Sequence, residues 1–485
     1  MNFLPFKFLL VRNIMTIKTH TTDYLIVGSG AVGMAFADTI LTETDANIVI
    51  IDKHHKPGGH WNVAYPFVTL HQPSAFYGVS SRELSKGCKD EIGLNKGLNE
   101  LATGAEVSAY FDNVMREQFL PTGRVKYFPM CDYKGDGNFE SILTGQKHHV
   151  DVTKKTVDCT YLKTTVPSTH IPNFDVTDGV RFMPLNDLPK IQTPPAGYVI
   201  VGGGKTGIDA ILFLLENGAN PDHITWIMPR DAWLIDRQNT QPTEEFFTSS
   251  IGAQANQMEA IANSTSISDM FSRLEASGVF LRIDKNVWPS MFHGATVSKM
   301  ELAELQRVKN VIRMGRVTAI SENKITLQEG DIGTTPGHIH VDCSASAISN
   351  LSMKPIFAKG LITPQTVRSY QPVFSAAFIA HVEAAYPNDD VKNKICNVVP
   401  LPNTDIDWLR LTAAFLINQH IWSKDEGLRK WLLNNRLDGF SKLVRSVKED
   451  DNEKLMILKR MRDNGQPAMA KLQGYLAAIE QGQTA

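Results

Sequence analysis

Tyr24-Leu-Ile-Val-Gly-Ser-Gly-Ala-Val-Gly33 is the most informative part of this 485-residue chain for its fold class. Its apolar start predicts a buried parallel strand. Gly28 lets the chain turn tightly, Gly30 lets a pyrophosphate approach the backbone, and Gly33 lets helix and strand pack closely. Helical spacing follows at Val32, Phe36 and Ile40. The stretch predicts a strand, a turn and a helix whose N-terminus binds dinucleotide phosphates.

A carboxylate follows at the distance expected for a dinucleotide site. The second apolar strand, residues 47–51, ends at Asp52. An acid at this spacing accepts a hydrogen bond from a ribose 2′-hydroxyl. We therefore predict that Ser29, inside the turn, and Asp52 and Lys53 contact the cofactor.

The segment after Asp52 is rich in turn-forming residues. It contains Gly58-Gly59-His60-Trp61, which predicts a backbone that passes close to the cofactor. We expect Gly59 and His60 to contact the cofactor and Trp61 to form a wall beside it. Residues 65–73 are expected to be extended, because each proline disfavours a helical conformation in the residue before it.

A second strand and glycine turn occur at Gly197–Val201 and Gly202-Gly-Gly204-Lys205-Thr206-Gly207. Apolar residues at helical spacing follow, which predicts another helix packed on another sheet. The next strand ends in Pro229-Arg230 where an acid would otherwise stand. The planar fork of an arginine binds two oxygens of a ribose 2′-phosphate, which favours NADPH over NADH. A solvated surface arginine is the alternative.

The composition excludes several classes of function. With 49 basic and 51 acidic residues the net charge is −2, so there is no bulk electrostatic attraction to nucleic acid or an anionic membrane. Five scattered cysteines form no Cys-x-x-Cys pair, so we predict no metal site, no dithiol relay and a cytoplasmic location. The apolar stretch 3–11 is too short to span a bilayer, and Met15 is a candidate for the natural start, after residues 1–14.

Two dinucleotide sites in one chain are explained by a redox pair, in which NADPH supplies hydride to FAD held by the first fold. We predict an α/β protein with two Rossmann-like dinucleotide-binding domains, the FAD domain being interrupted by the NADPH domain, and a helical C-terminal extension. The predicted boundaries are 21–190 and 336–400 for FAD, 195–335 for NADPH, and 401–485 for the helical region. A helix over 98–120 and an antiparallel ribbon of 311–317 with 324–328 are also expected.

Residues 21–350 resemble the flavin-dependent monooxygenase family. The Gly58–Trp61 loop resembles its Gly-Gly-x-Trp loop, and Leu70-His71-Gln72-Pro73 is similar to a Leu-His-x-Pro stretch where flavin and nicotinamide meet. The stretch 202–209 resembles the NADPH fingerprint, with Lys205 and Thr206 at the usual asparagine and serine positions. Residues 230–234 are similar to the family's Arg-x-Gly-Ala-Trp sequence. Two motifs differ: residues 180–188 replace the family's linking motif, and Ser344-Ala345-Ser346 replaces a late Ala-Thr-Gly.

The resemblance implies a monooxygenase that uses NADPH, FAD and oxygen, forms a flavin C4a-hydroperoxide, and oxygenates a nitrogen, sulfur or carbonyl of a small substrate. His71 or Gln72 would donate a hydrogen bond near the reactive edge of the flavin, and Asn186 is a third catalytic candidate. A structural histidine bonded to backbone is the alternative for His71. An NADPH-dependent flavin oxidase or reductase without oxygen insertion and a non-catalytic cofactor-binding protein are the alternative functions. The substrate and the oligomeric state stay open.

Overall fold

A computed structural model describes residues 17–345 and 351–482. The proposed start at Met15 and the predicted Ser346 lie outside these residues. The strands are β1 (Lys18–Val27), β2 (Ile48–Ile51), β3 (Gly78–Val79), β4 (Arg82–Glu83), β5 (Val125–Phe128), β6 (Cys131–Gly135), β7 (Asn138–Ser141), β8 (Lys147–Asp158), β9 (Asp175–Val176), β10 (Phe182–Pro184), β11 (Gly197–Val201), β12 (Ile224–Ile227), β13 (Leu234–Asp236), β14 (Phe280–Leu281), β15 (Thr296–Val297), β16 (Val311–Ile312), β17 (Val317–Ile320), β18 (Lys324–Leu327), β19 (Gly330–Gly333), β20 (His338–Asp342), β21 (Phe357–Ala358) and β22 (Leu361–Ile362).

The helices follow the same order along the chain. They are α1 (Ala31–Glu43), α2 (Gly104–Asn113), α3 (Lys205–Glu216), α4 (Phe247–Ala262), α5 (Ile267–Ala276), α6 (Lys299–Leu305), α7 (Pro372–Ala385), α8 (Asp389–Ile395), α9 (Asp405–Lys424), α10 (Glu426–Asn434), α11 (Phe440–Arg445) and α12 (Asn452–Glu480).

The first unit is built on a sheet with the order β21-β22-β8-β1-β2-β5. Strand β1 is parallel to both β2 and β8. Alternate residues of β1 point to opposite faces: Tyr24 and Ile26 pack with α1 and α7, whereas Leu25 and Val27 pack against the antiparallel strands β6 and β7. Both faces are therefore buried, which explains the continuous apolar run of β1.

The second unit is a parallel sheet with the order β10-β20-β11-β12-β16. Strands β10 and β20 lie in this sheet, although the predicted boundaries at 190 and 336 placed them with the first unit. Strand β16 also joins it, so the antiparallel ribbon consists of β17, β18 and β19 rather than residues 311–317 with 324–328. These strands are too short for the pattern of their apolar residues to show which sheet they join. Their assignment requires the observed strand pairing.

The helix expected over 98–120 is shorter. It begins at Gly104, because Thr103 and Glu106 form a capping box that fixes the first turn. Its regular part ends at Asn113, and a π-helical turn covers Val114–Phe119. Residues 98–103 instead form loop contacts, including a hydrogen bond from Asn99 N to the Gln241 side chain of the second unit.

The helical extension contacts both units. Helix α12 packs along α4, whereas Trp422 of α9 and Leu428 of α10 belong to the core of the first unit. Helix α7 was not predicted. It packs on α1 and carries no amphipathic stripe, because it is apolar on nearly all sides. It completes the core of the first unit from a distant part of the chain.

Candidate functional site

The first glycine turn has the predicted geometry. Gly28 has a φ of +97°, which favours glycine, and Gly30 is the N-cap of α1. A Cβ on Gly33 would lie 2.0 Å from the carbonyl oxygen of Gly28. The close approach of strand and helix therefore requires glycine at residue 33.

Asp52 reaches back to this turn. Its Oδ2 accepts hydrogen bonds from Ser29 N (2.5 Å) and Ser29 Oγ (2.8 Å), and its Oδ1 accepts from His54 N (2.7 Å). Burial alone would raise the pKa of Asp52, but these hydrogen bonds, first those from His54, outweigh it and leave the pKa below its usual value. A buried, ionised acceptor therefore lies at the glycine turn, while Lys53 is exposed to solvent.

The Gly-Gly-His-Trp loop lies directly against the same turn. Gly58 N donates to Ser29 O at 2.9 Å, and a Cβ on Gly59 would lie 2.9 Å from the Cα of Gly30. The indole of Trp61 donates to the hydroxyl of Tyr77 at 2.8 Å. Burial lowers the pKa of His60 to about 4, so its ring is neutral near pH 7. These contacts fix the loop beside the N-terminus of α1.

The second glycine turn repeats the arrangement. Gly202 has a φ of +137°, and a Cβ on Gly207 would lie 2.2 Å from the Gly202 carbonyl oxygen. Gly204 is the N-cap of α3, and a Cβ added there meets no described atom within 4 Å. Thr206 is half-buried in the first turn of α3. The space beside Gly204 at the start of α3 is therefore open.

Arg230 lies beside the second turn, because a Cβ on Gly203 would be 3.2 Å from the Arg230 carbonyl oxygen. Its guanidinium donates to Asn403 Oδ1 at 3.0 Å, and Asn403 Oδ1 is also 2.9 Å from His293 Nε2. Burial, and secondly the charge of Arg316, lower the pKa of Arg230. Two arginines near each other create a positive potential suited to an anion.

The three catalytic candidates differ in what they contact. His71 Nδ1 is buried and has no hydrogen-bond partner within residues 17–345 and 351–482. Burial, followed by the charge of Lys205, lowers the pKa of His71 to about 3. Asn186 Nδ2 donates to Val63 O at 3.1 Å, which brings this residue against the Gly59–Val63 turn. Gln72 is half-buried next to His71.

Two unpaired polar atoms lie at the Gly59–Val63 turn. Among the described residues, the Oδ1 atoms of Asn62 and Asn186 are buried without a hydrogen-bond partner, and Asn186 Nδ2 contacts Val63 O. Buried polar atoms in folded proteins are nearly always hydrogen-bonded, so these two acceptors are available to a ligand. Asn62 was not predicted, since a single asparagine after the tryptophan carries no recognisable signal.

Two further features were missed by sequence reasoning. The hydroxyl of Tyr65 donates to Asp209 Oδ2 at 2.5 Å, which joins the loop of the first unit to α3 of the second. The N-terminal turn of α7 lies near α1, where Pro372 and Val32 line the same small cavity. The only sequence signal for the contact between Tyr65 and Asp209 was the spacing of Asp209, four residues after Lys205. The only sequence signal for the N-terminal turn of α7 was Pro372, a proline at a helix start.

The described ranges contain no group of three or more histidine, cysteine or acidic side chains suited to a metal ion. Within the same ranges, no helix has the length and apolarity needed to cross a bilayer.

Comparisons with known proteins find a match in the region of the first glycine turn. A family model described as an NAD(P)-binding Rossmann-like domain matches residues 26–66. Among solved structures, the chain is similar to a cyclohexanone-bound cyclohexanone monooxygenase (13% identity, 77% of this chain and 87% of that chain, TM-score 0.49) and to a flavin-containing monooxygenase from Stenotrophomonas maltophilia (13%, 75% and 97%, TM-score 0.42). At these values the likeness supports no inference about activity.

Two curated relatives are much more similar in sequence. They are the uncharacterized protein Rv2000 of Mycobacterium tuberculosis and the uncharacterized protein Mb2023 of Mycobacterium bovis. Each is 49% identical over 430 residues, which cover 88% of this chain and 79% of the relative. The chain belongs to the same protein family as these mycobacterial proteins.

Proposed function

We propose that the protein is an FAD- and NADPH-dependent oxidoreductase, and specifically a monooxygenase acting on a small organic substrate with oxygen. The observation that carries the proposal is the pairing of two strand–glycine turn–helix units in one chain, one with the buried Asp52 carboxylate and the other with Arg230. A carboxylate suits a ribose hydroxyl and an arginine suits a 2′-phosphate, so the two turns differ in the dinucleotide they favour.

The residues around the first turn fit a flavin dinucleotide. The amides of α1 would hold the pyrophosphate, and Asp52 would accept from the ribose. The unpaired Oδ1 atoms of Asn62 and Asn186 are acceptors for ring N–H groups, and the N-terminus of α7 is suited to a partly negative ring oxygen. When bound, FAD would supply hydride acceptance and oxygen activation, which no side chain provides.

The residues around the second turn fit NADPH. The space beside Gly204 is open, so a pyrophosphate would have room to approach the start of α3, and Arg230, supported by Asn403, would bind the 2′-phosphate. Lys205 and Thr206 begin the same helix. Arg316 adds positive charge at the phosphate position.

Residues 59–71, which lie between the two glycine turns in the sequence, would orient the reacting groups of the cofactors and exclude water. Trp61, held by Tyr77, forms a wall, and the neutral ring of His71 can exchange hydrogen bonds without carrying a charge. The proposed catalytic residues are His71, Gln72 and Asn186. His71 ends this segment, Gln72 follows it, and Asn186 contacts its Val63 carbonyl oxygen. Five unpaired cysteines support a cytoplasmic location.

A second candidate is an NADPH-dependent flavin oxidase or reductase that inserts no oxygen. It is favoured by the stretch Val180–Leu188, which stands where the resembling family carries its linking motif. Cofactor binding tolerates such a replacement more easily than oxygen transfer does.

The test begins with the absorbance spectrum of the purified protein, with and without added FAD. NADPH added without oxygen should bleach the flavin bands, and NADH should do so much more slowly. Labelled oxygen in the products of an amine, sulfide or ketone panel supports the monooxygenase, and bleaching with peroxide as the product supports the second candidate. A protein that neither contains nor rebinds FAD contradicts both.

A further inference from the structure

Residues 59–71, which we call the bridging loop, pack in the cores of both units. Its ends belong to the first unit, where Leu70 is part of the core and Trp61 packs against it. Its middle belongs to the second unit: Tyr65 is part of that core, and the ring of Phe67 stacks on Phe213 of α3 with centroids 4.0 Å apart. The middle of the loop therefore packs against α3 of the second unit.

A polar cluster ties this part of the loop to the start of α3. The Tyr65 hydroxyl donates to Asp209 Oδ2 at 2.5 Å, and Asp209 Oδ1 forms an ion pair with Lys205. Tyr65 is 7% exposed, and the side chains of Asp209 and Lys205 are 15% and 19% exposed. A charge-assisted hydrogen bond in such surroundings is strong and well defined in geometry.

The surroundings of Tyr65 keep its hydroxyl protonated. Burial, followed by the negative charge of Asp209, raises the pKa of Tyr65 well above its usual value. The phenol of Tyr65 consequently stays protonated and remains the donor in its hydrogen bond to Asp209 Oδ2.

We propose that Tyr65, Asp209 and Lys205 are positioning residues that fix the first turn of α3 against the bridging loop, and so set the approach of the nicotinamide to the flavin. This inference rests on the proposed function. Lys205 begins α3, and Asp209 lies one helical turn later, so the ion pair clamps the turn that carries the phosphate-binding amides. At the other end of the loop, Gly59 lies against Gly30 of the first turn. Group transfer between bound cofactors depends steeply on such placement.

The test is the Tyr65→Phe variant, which removes the hydroxyl and keeps the ring that packs near Phe67. The matched control is Tyr386→Phe, since Tyr386 also donates to an aspartate, Asp425, at 2.7 Å but lies at the end of α7. Flavin content, the Kd of NADP+ and the limiting rate of flavin bleaching at saturating NADPH are measured for each. We expect Tyr65→Phe to lower the limiting rate about 10- to 100-fold with flavin content and Kd within about twofold of wild type, and Tyr386→Phe to match wild type.

A limiting rate for Tyr65→Phe within twofold of wild type overturns the inference, as does an equal fall in Tyr386→Phe or a loss that appears only in the Kd. If the wild type is not bleached by NADPH, the proposed function fails separately. Hydrogen exchange then decides the positioning role: faster exchange confined to residues 205–209 and the bridging loop in Tyr65→Phe supports it, and unchanged exchange overturns it.

Discussion

A methyl group added at Gly204 tests dinucleotide binding, because we expect it to change the affinity for a dinucleotide but hardly the stability of the protein. Its φ of −86° and ψ of −175° are open to any residue, and a Cβ there meets no described atom within 4 Å. Alanine stabilises by about 0.4–1 kcal/mol through the unfolded chain, and it is a poorer N-cap than glycine by about 0.5 kcal/mol. We expect Gly204→Ala to change the free energy of unfolding by less than about 0.5 kcal/mol.

The same methyl group would stand where a pyrophosphate approaches the amides of α3. A displaced phosphate loses at least one charge-assisted hydrogen bond, which contributes about 1.5–3 kcal/mol. The Kd of NADP+ should therefore rise about 10- to 150-fold. Titration calorimetry with NADP+ measures this change, and urea unfolding measures stability.

Gly207→Ala is the contrasting variant. Its Cβ would lie 2.2 Å from a backbone carbonyl oxygen, so α3 must shift, and we expect a loss of about 1–3 kcal/mol in the free energy of unfolding. If Gly204→Ala binds NADP+ within twofold of wild type, or loses as much stability as Gly207→Ala, the reasoning about the second turn is wrong.

Three further predictions concern the two sites. Arg230→Ala should raise the KM for NADPH about 10- to 100-fold and leave that for NADH unchanged, because the lost interaction is with the 2′-phosphate; steady-state kinetics with both cofactors check this, and equal effects would count against a phosphate role. Asp52→Asn should weaken FAD binding about 10- to 100-fold by removing a charged acceptor at the first turn, as measured by fluorescence titration of the apoprotein, and an unchanged Kd would contradict it. His71 has a pKa of about 3 in the folded protein against an ordinary value of 6.5, so the unfolded chain binds a proton there first and stability falls as the pH drops from 6.5 toward 3. His71→Gln should therefore lose less stability than wild type between pH 7 and pH 5 in urea unfolding, and an identical loss in both proteins would show that His71 is not held neutral.

Some of the site could be predicted because the relevant interactions are local. In each unit, the end of the strand, the glycine turn and the start of the helix lie within about a dozen residues. A Cβ on the last glycine of the motif would clash with the carbonyl oxygen of the first. Asp52 was predictable for the same reason, since a parallel strand beside β1 must end near the turn. Such geometry follows from short-range backbone sterics, which the residue types reveal directly.

Other features depended on distant parts of the chain. Helix α7 is apolar on nearly all sides, and so gave no helical period, because it is enclosed by α1 and the C-terminal helices. Strands β10 and β20 have too few residues to specify a sheet. Strand β20 pairs with β11 and β10 pairs with β20, which places both in the second unit.

From the sequence alone, two strand–glycine turn–helix units and the residues of their turns could be predicted, because those turns need glycine at fixed spacing. The contact between Tyr65 and Asp209 across the two units becomes visible only in the folded structure, as do the buried Oδ1 atoms of Asn62 and Asn186, which have no hydrogen-bond partner among the described residues. Contacts between residues more than a hundred positions apart leave no periodic signal in one sequence, since each partner satisfies its own local structure equally well without the other.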